Sequence, residues 1–124
     1  EFVQQRAAFG QKVSDFQGVR WMLADMAIQT EAARNLVYKA AAMVDAGAAG
    51  AELAPMAAIA KCFATDAAMK VATDAVQLFG AAGISGEFPI NRYFRDAKVL
   101  QIVEGTNQIQ RNIIANHLLG RPAR

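Results

Sequence analysis

From Phe16 to Val44 the chain repeats apolar or small residues at alternating spacings of three and four: Phe16, Val19, Leu23, Met26, Thr30, Ala33, Val37, Ala40 and Val44. That rhythm draws one continuous seam along a helix of about eight turns. A single helix cannot bury such a seam by itself, so the seam demands partner helices lying alongside. Asp15, Arg20, Asp25, Glu31, Arg34, Lys39 and Asp45 fall mostly off it, and Gly47 and the Gly50 region end it. A second long helix is predicted from about Glu52 to Phe79, with Pro55 in its first turn, where a missing N–H costs little. Its polar stripe is Asp66, Lys70, Thr73, Asp74 and Gln77, in which Asp66–Lys70 and Lys70–Asp74 have helical pair spacing. The rest of its surface is alanine with Met56, Ile59, Phe63, Met69, Val71 and Leu78, which predicts deep packing.

The remainder is shorter. Gly80-Ala81-Ala82-Gly83-Ile84-Ser85-Gly86 reads as a loop closed by Pro89, followed by a helical turn around Asn91–Phe94 and a connector through Lys98–Val103. A last helix then carries Ile109, Ile113, Ile114 and Leu118, with Gly120 and Pro122 as a stop signal. Thr106 and Asn107 are both N-cap residue types, and Asn107 with Gln110 has capping-box spacing. No strand alternation stands out. The whole reads as an all-α, up-and-down four-helix bundle in a single domain.

Composition narrows the function classes. The chain has 124 residues, 54% of them hydrophobic and 19% charged, which suits one domain with a real core and argues against disorder. The net charge of +2 is dispersed, so no nucleic-acid footprint is expected. One cysteine, Cys62, permits no intrachain disulfide and fits a reducing cytoplasm. His117 stands alone near a helix end, and without a Cys/His cluster no metal site is expected. No signal peptide and no long uncharged apolar run are visible, so no membrane insertion is expected. The chain opens on Glu1-Phe2-Val3 without an initiator methionine, which reads as a piece of a longer polypeptide.

The chemistry concentrates in Glu104-Gly105-Thr106-Asn107-Gln108-Ile109-Gln110-Arg111. A carboxylate and a glycine there precede a helix N-terminus, whose free amides and partial positive charge suit an anion or a polar cofactor edge. On its own, an acidic residue in that place is usually an electrostatic cap. The segment resembles the acyl-CoA dehydrogenase family, which carries a Glu-Gly-Thr-x-x-Ile-Gln-type motif near its C-terminus after Arg-Asp-Ala-Lys, here Arg95-Asp96-Ala97-Lys98. Three further stretches agree in order: Arg6-Ala7-Ala8-Phe9-Gly10, Asp15-Phe16-Gln17, and Asp74-Ala75-Val76-Gln77-Leu78-Phe79-Gly80.

The resemblance implies FAD-dependent α,β-dehydrogenation of an acyl-CoA thioester. Such a reaction asks for a carboxylate base shielded from water and for donors at the thioester carbonyl. Glu104 matches the family's base position, and Gly105 would let the thioester pack beside it. Some relatives keep the base on another helix, so a glutamate here implies that this chain supplies its own. Arg6 matches an arginine that reaches the FAD pyrophosphate on a neighbouring subunit, a task suited to a fork-shaped cation. Phe9 and Gln17 belong to the same contact region, and Gln77, Leu78, Phe79, Gly80 and Ala81 would line the adenosine end. Thr106, Asn107, Gln108 and Ile109 would set a helix N-terminus against the cofactor. Plain alternatives are a solvated charge for Arg6, a first-turn surface residue for Gln17 and a core anchor for Phe9. Two positions depart from the family: Ala81-Ala82 follows Gly80 where a second glycine is frequent, and Val103 precedes Glu104 where an aromatic is frequent. The latter bears on pocket shape and acyl-chain length.

The family's N-terminal helical and central β domains are not in this sequence. The resemblance therefore implies the C-terminal helical domain alone, inactive in isolation, part of a homodimer or homotetramer, with electron-transferring flavoprotein as the usual acceptor. Two other classes compete. One is an assembly module whose Phe16–Val44 seam drives oligomerisation without chemistry, which would have no use for Glu104. The other is a non-dehydrogenating relative with a nucleic-acid role, against which the dispersed Lys and Arg residues speak.

Overall fold

A computed structural model of the chain describes residues 1–121. Pro122, one half of the stop signal, lies outside them. The fold is all-α apart from one minute hairpin. Helix α1 (Phe2–Gln5) leads into strands β1 (Ala7–Ala8) and β2 (Gln11–Lys12), and a 3-10 turn over Val13–Asp15 opens onto α2 (Gln17–Asp45). Next come α3 (Gly50–Phe79), α4 (Ala81–Ile84), α5 (Ile90–Leu100) and α6 (Asn107–Leu118). No helix among the described residues is long and apolar enough to cross a membrane.

Helix α3 is the axis of the domain. It packs against α2 along one side and against α5 and α6 along another, with α1 and α4 at its C-terminal end. Its sequence explains the position. Ala58, Ala60, Cys62, Ala67 and Ala72 are buried, and such small side chains let neighbouring backbones come close. No large side chain among the described residues is fully buried, whereas Trp21, Ile28, Tyr38 and Leu118 are exposed. This is a core of alanines under an apolar exterior.

The structure corrects the sequence reading in five places. On α2, Val19, Met26, Ala33 and Ala40 are half-buried as expected, but their partners in the inward row are Met22, Gln29, Leu36 and Met43. Leu23, Thr30, Val37 and Val44 lie on the exposed side. The two series share members and differ elsewhere by one residue, about 100° around the helix, so periodicity alone cannot choose between them. Helix α3 begins at Gly50, which puts Pro55 beyond the first turn. The Gly80–Gly86 segment is no simple loop but contains α4. There a Cβ on Gly83 would stand 2.8 Å from the Val76 carbonyl oxygen and 2.9 Å from Phe79 Cβ, so only glycine lets α4 fold back on α3. Helix α5 absorbs both the Asn91–Phe94 turn and the first half of the expected connector, because Ile90, Phe94 and Ala97 give it a continuous inward face. Finally, β1 pairs antiparallel with β2 through Ala7↔Lys12 and Ala8↔Gln11, strands too short to show alternation in sequence.

Candidate functional site

Of the two N-cap candidates, Thr106 caps α6, its hydroxyl accepting the Ile109 amide at 3.3 Å. The capping box does not form. Asn107 is instead the first helical residue and turns inward, 3% exposed. Its side-chain Nδ2 donates to Thr65 Oγ1 at 2.8 Å and to Asp66 Oδ1 at 2.7 Å, while its Oδ1 accepts from Lys61 Nζ at 2.7 Å. Its backbone amide donates to the Gln101 carbonyl at 3.0 Å. An amide so fully engaged positions the helix start and has nothing left to offer a ligand. Gln110 also turns back, donating to the carbonyls of Glu104 at 3.1 Å and Gly105 at 3.3 Å.

Those bonds fix an unusual backbone. Glu104 and Gly105 both have positive φ, 55° and 86°. Glycine adopts that conformation freely, but a glutamate held there is strained by about 1–2 kcal/mol. A Cβ on Gly105 would also sit 2.9 Å from Gln110 Nε2, so that side chain would have to shift from its bonds to the turn. Lys61, reaching from α3, closes the arrangement by donating to the Gly105 carbonyl at 2.8 Å. The Glu104 carboxylate projects outward from this turn, as do Gln108 and Ile109. Thr106 is half-buried.

Beneath the turn, Asp66 accepts from Arg111 at 2.6 Å and from Gln101 at 2.7 Å as well as from Asn107. Burial pushes the Asp66 carboxyl up, but hydrogen bonds from Arg111, Asn107 and Gln101 outweigh it and hold the group below the ordinary carboxylate range. Asp66 thus pairs with Arg111 and leaves the expected Asp66–Lys70 pair unformed, while Lys70–Asp74 forms at 2.6 Å. Of this supporting network, Lys61, Thr65, Gln101 and Arg111 were not anticipated as site residues. For Lys61 and Thr65 a signal is present: Lys61 stands one turn before the adjacent polar pair Thr65–Asp66 on a helix otherwise rich in alanine.

A second cluster forms where α1 meets the end of α3. Arg6, Gln77, Leu78, Phe79, Gly80 and Ala81 line one cleft of about 360 Å³, together with Phe2, Val13 and Ala82. Phe2 stacks on Phe79 at 4.1 Å between ring centroids, and Phe88 meets both rings edge-on at 5.5 and 5.3 Å. No carboxylate among the described residues pairs with Arg6. Gly80, at φ 60° and ψ −139°, takes a backbone conformation reserved for glycine. Ala81 is exposed at the rim.

Phe9 and Gln17 lie apart from both clusters. Phe9 is 97% exposed at the hairpin tip, which excludes a core anchor, and meets Phe16 edge-on at 6.3 Å, just before Gln17 begins α2. Lys61 and Gln77 share α3, whose rise of about 1.5 Å per residue separates the Glu104 turn from the Arg6 cleft by roughly 24 Å along the axis.

A glutamate with a strained backbone before a capped helix, and a distant cleft lined by one arginine, are both built against the one long helix α3. Residues 1–119 match the family described as acyl-CoA dehydrogenase, C-terminal domain, and the chain belongs to that family. It is 52% identical over 118 residues to the probable acyl-CoA dehydrogenase FadE25 of Mycobacterium tuberculosis, covering 95% of this chain and 30% of that protein. Butyryl-CoA dehydrogenase of Megasphaera elsdenii superposes with a TM-score of 0.90 at 48% identity, over 95% of this chain and 30% of that one. The FAD complex of PigA superposes with a TM-score of 0.86 at 30% identity, over 94% of this chain and 30% of that one. The chain thus spans about 30% of the length of the relatives it matches.

Proposed function

We propose that this chain acts within an FAD-dependent acyl-CoA dehydrogenase, supplying the catalytic base Glu104 and cofactor contacts across a subunit boundary. The observation that carries this reading is the Glu104 turn. A glutamate with a strained backbone, braced from two helices while the residue itself stays exposed, suits a base that bound substrate would cover and shield from water. Glu104 takes the α-proton of the thioester, and the β-hydrogen departs with its electron pair, leaving an α,β double bond. FAD, when bound, supplies the acceptor for that pair. Gly105, without a side chain, leaves room for the thioester beside the base.

The residues of the second cluster suit the other end of such a cofactor. Arg6 has no competing carboxylate among the described residues and presents a guanidinium to a pyrophosphate. Gln77 adds an amide, and the Phe2–Phe79 stack gives the cleft an apolar wall suited to adenosine. Phe9, at the hairpin tip, and Gln17, at the start of α2, would touch the cofactor outside this cleft. Thr106, Gln108 and Ile109 face the cofactor at the start of α6, with Asn107 holding that start in place from within.

The exposed α2 face, with Trp21, Ile28 and Tyr38, supports assembly into a homodimer or homotetramer, and oligomer size measured by light scattering tests it. An acyl-CoA is the substrate and electron-transferring flavoprotein the electron acceptor. A single buried thiol, Cys62, is in keeping with the cytoplasm. The activity is tested by the visible spectrum of the complete polypeptide before and after anaerobic addition of acyl-CoA thioesters. Bleaching of a flavin spectrum by one chain length is the expected result. A protein that cannot be loaded with FAD contradicts it and leaves a helical assembly module.

A further inference from the structure

We propose that Lys61 is a positioning residue for the base, its ammonium group fixing from α3 the backbone of the turn from which Glu104 projects. Lys61 holds this office only if Glu104 is the base, as proposed above.

Lys61 Nζ donates to the Gly105 carbonyl at 2.8 Å and to Asn107 Oδ1 at 2.7 Å. These acceptors bracket the start of α6: Gly105 immediately follows Glu104, and Asn107 is the first helical residue. A glutamate at positive φ persists only where surrounding bonds overdetermine it. Gln110 supplies two such bonds, but they tie the turn only to its own helix. Lys61 ties the same Gly105 carbonyl to α3, the axis against which α2, α5 and α6 all pack.

The partners of Lys61 are also unusual for a lysine. The side chain is half-buried and no carboxylate among the described residues pairs with it, although Asp66 lies little more than a turn away and is held by Arg111. A cation partnered by a peptide carbonyl and an amide oxygen sets geometry and neutralises no charge. Thr65 completes the arrangement. Its hydroxyl donates to the Lys61 carbonyl at 2.9 Å and accepts from Asn107 Nδ2 at 2.8 Å, so Lys61 and Asn107 are registered through a third side chain. Without Lys61 the Gly105 carbonyl loses its only bond to α3, and the strained Glu104 backbone can relax and carry the carboxylate off its line to the substrate. Misplacement of a reacting group by about 1 Å costs about 100-fold in rate.

The test is made on the complete, FAD-loaded polypeptide by following flavin reduction by acyl-CoA in anaerobic stopped flow. Lys61→Met should slow flavin reduction by about 10- to 100-fold while FAD content, oligomer size and acyl-CoA affinity stay near wild type. Lys61→Arg, which keeps donors for both acceptors, should recover most of that loss. If Lys61→Met yields no folded protein, Lys61→Gln, which keeps one donor group, is measured in its place with the same expectation. A Lys61 variant that reduces flavin at the wild-type rate, beside an inactive Glu104→Gln, overturns the role of Lys61 and leaves the base reading intact. A fall in rate matched by equal losses of FAD and acyl-CoA affinity also overturns it, because the residue then serves the fold alone. A Glu104→Gln enzyme that reduces flavin normally overturns the base reading and the role of Lys61 with it.

Discussion

Two turns in this domain place a non-glycine residue in the left-handed region and follow it with a glycine, yet they are held by opposite means. Phe9–Gly10, at φ 53° and 82°, caps a hairpin and points into solvent. It is kept by backbone alone, through the Ala7↔Lys12 and Ala8↔Gln11 pairs and a bond from the Val13 amide to the Arg6 carbonyl at 2.8 Å. Two-residue hairpin turns favour this geometry, and asparagine would be the usual occupant of the first position. Glu104–Gly105, at φ 55° and 86°, belongs to no ladder. Side chains fix it, from Gln110 on α6 and from Lys61, which lies 44 residues away in sequence. The hairpin tip has its shape set by the ladder beside it, whereas a turn braced by side chains has its shape written in residues elsewhere. The second arrangement suits a reacting group whose position must be set from several directions.

The sharpest way to separate the turns is the same substitution in each. Gly105→Ala combines positive φ with a Cβ 2.9 Å from Gln110 Nε2. It should cost about 3 kcal/mol of stability and most of the activity. Gly10→Ala meets nothing within 4 Å, so it carries the backbone strain alone, about 1 kcal/mol. Chemical denaturation of both variants measures the gap, and equal costs would mean that the Gln110 contact is soft.

Next in size is Arg6→Ala, at the foot of the hairpin. FAD affinity should fall by roughly tenfold or more through loss of a charge-assisted contact, while enzyme still carrying FAD reduces it at an undiminished rate. Equilibrium dialysis and stopped flow report the two quantities separately. A fall in the reduction rate of the loaded enzyme would join the two clusters that the structure keeps apart.

The smallest effect is an acid response confined to one turn. The Asp66 carboxyl is held below its ordinary range when folded, so its contribution to stability is complete above the unfolded value and fades as pH falls through the folded one. The Asn107 side-chain amide resonances should therefore move at acid pH before those of Ala7 and Val13 in the hairpin. Simultaneous movement would show that Asp66 does not support the Glu104 turn separately from the rest.

Much of this was legible in the sequence. The long helices follow from local patterns, and the family resemblance names Arg6 and Gln77–Ala81, which the structure gathers in one cleft. What escaped were choices that local pattern leaves open. Helix α2 carries two overlapping apolar rows, and only packing against α3 decides between Met22 and Leu23 or between Leu36 and Val37. Asn107 is an N-cap residue type on paper, but Asp66, Thr65 and Lys61 together outcompete the cap and draw it inward. The positive φ of Phe9 and Glu104 is invisible to propensity, since neither residue favours it, and only the following glycine hints at a tight turn.

Whether Glu104 is the base is decided by Glu104→Gln in the complete polypeptide, mixed anaerobically with acyl-CoA in a stopped-flow spectrometer. The variant should retain FAD and bind acyl-CoA, while flavin reduction slows by about 10³-fold or more. Flavin reduction at the wild-type rate would contradict the assignment of Glu104 as the base.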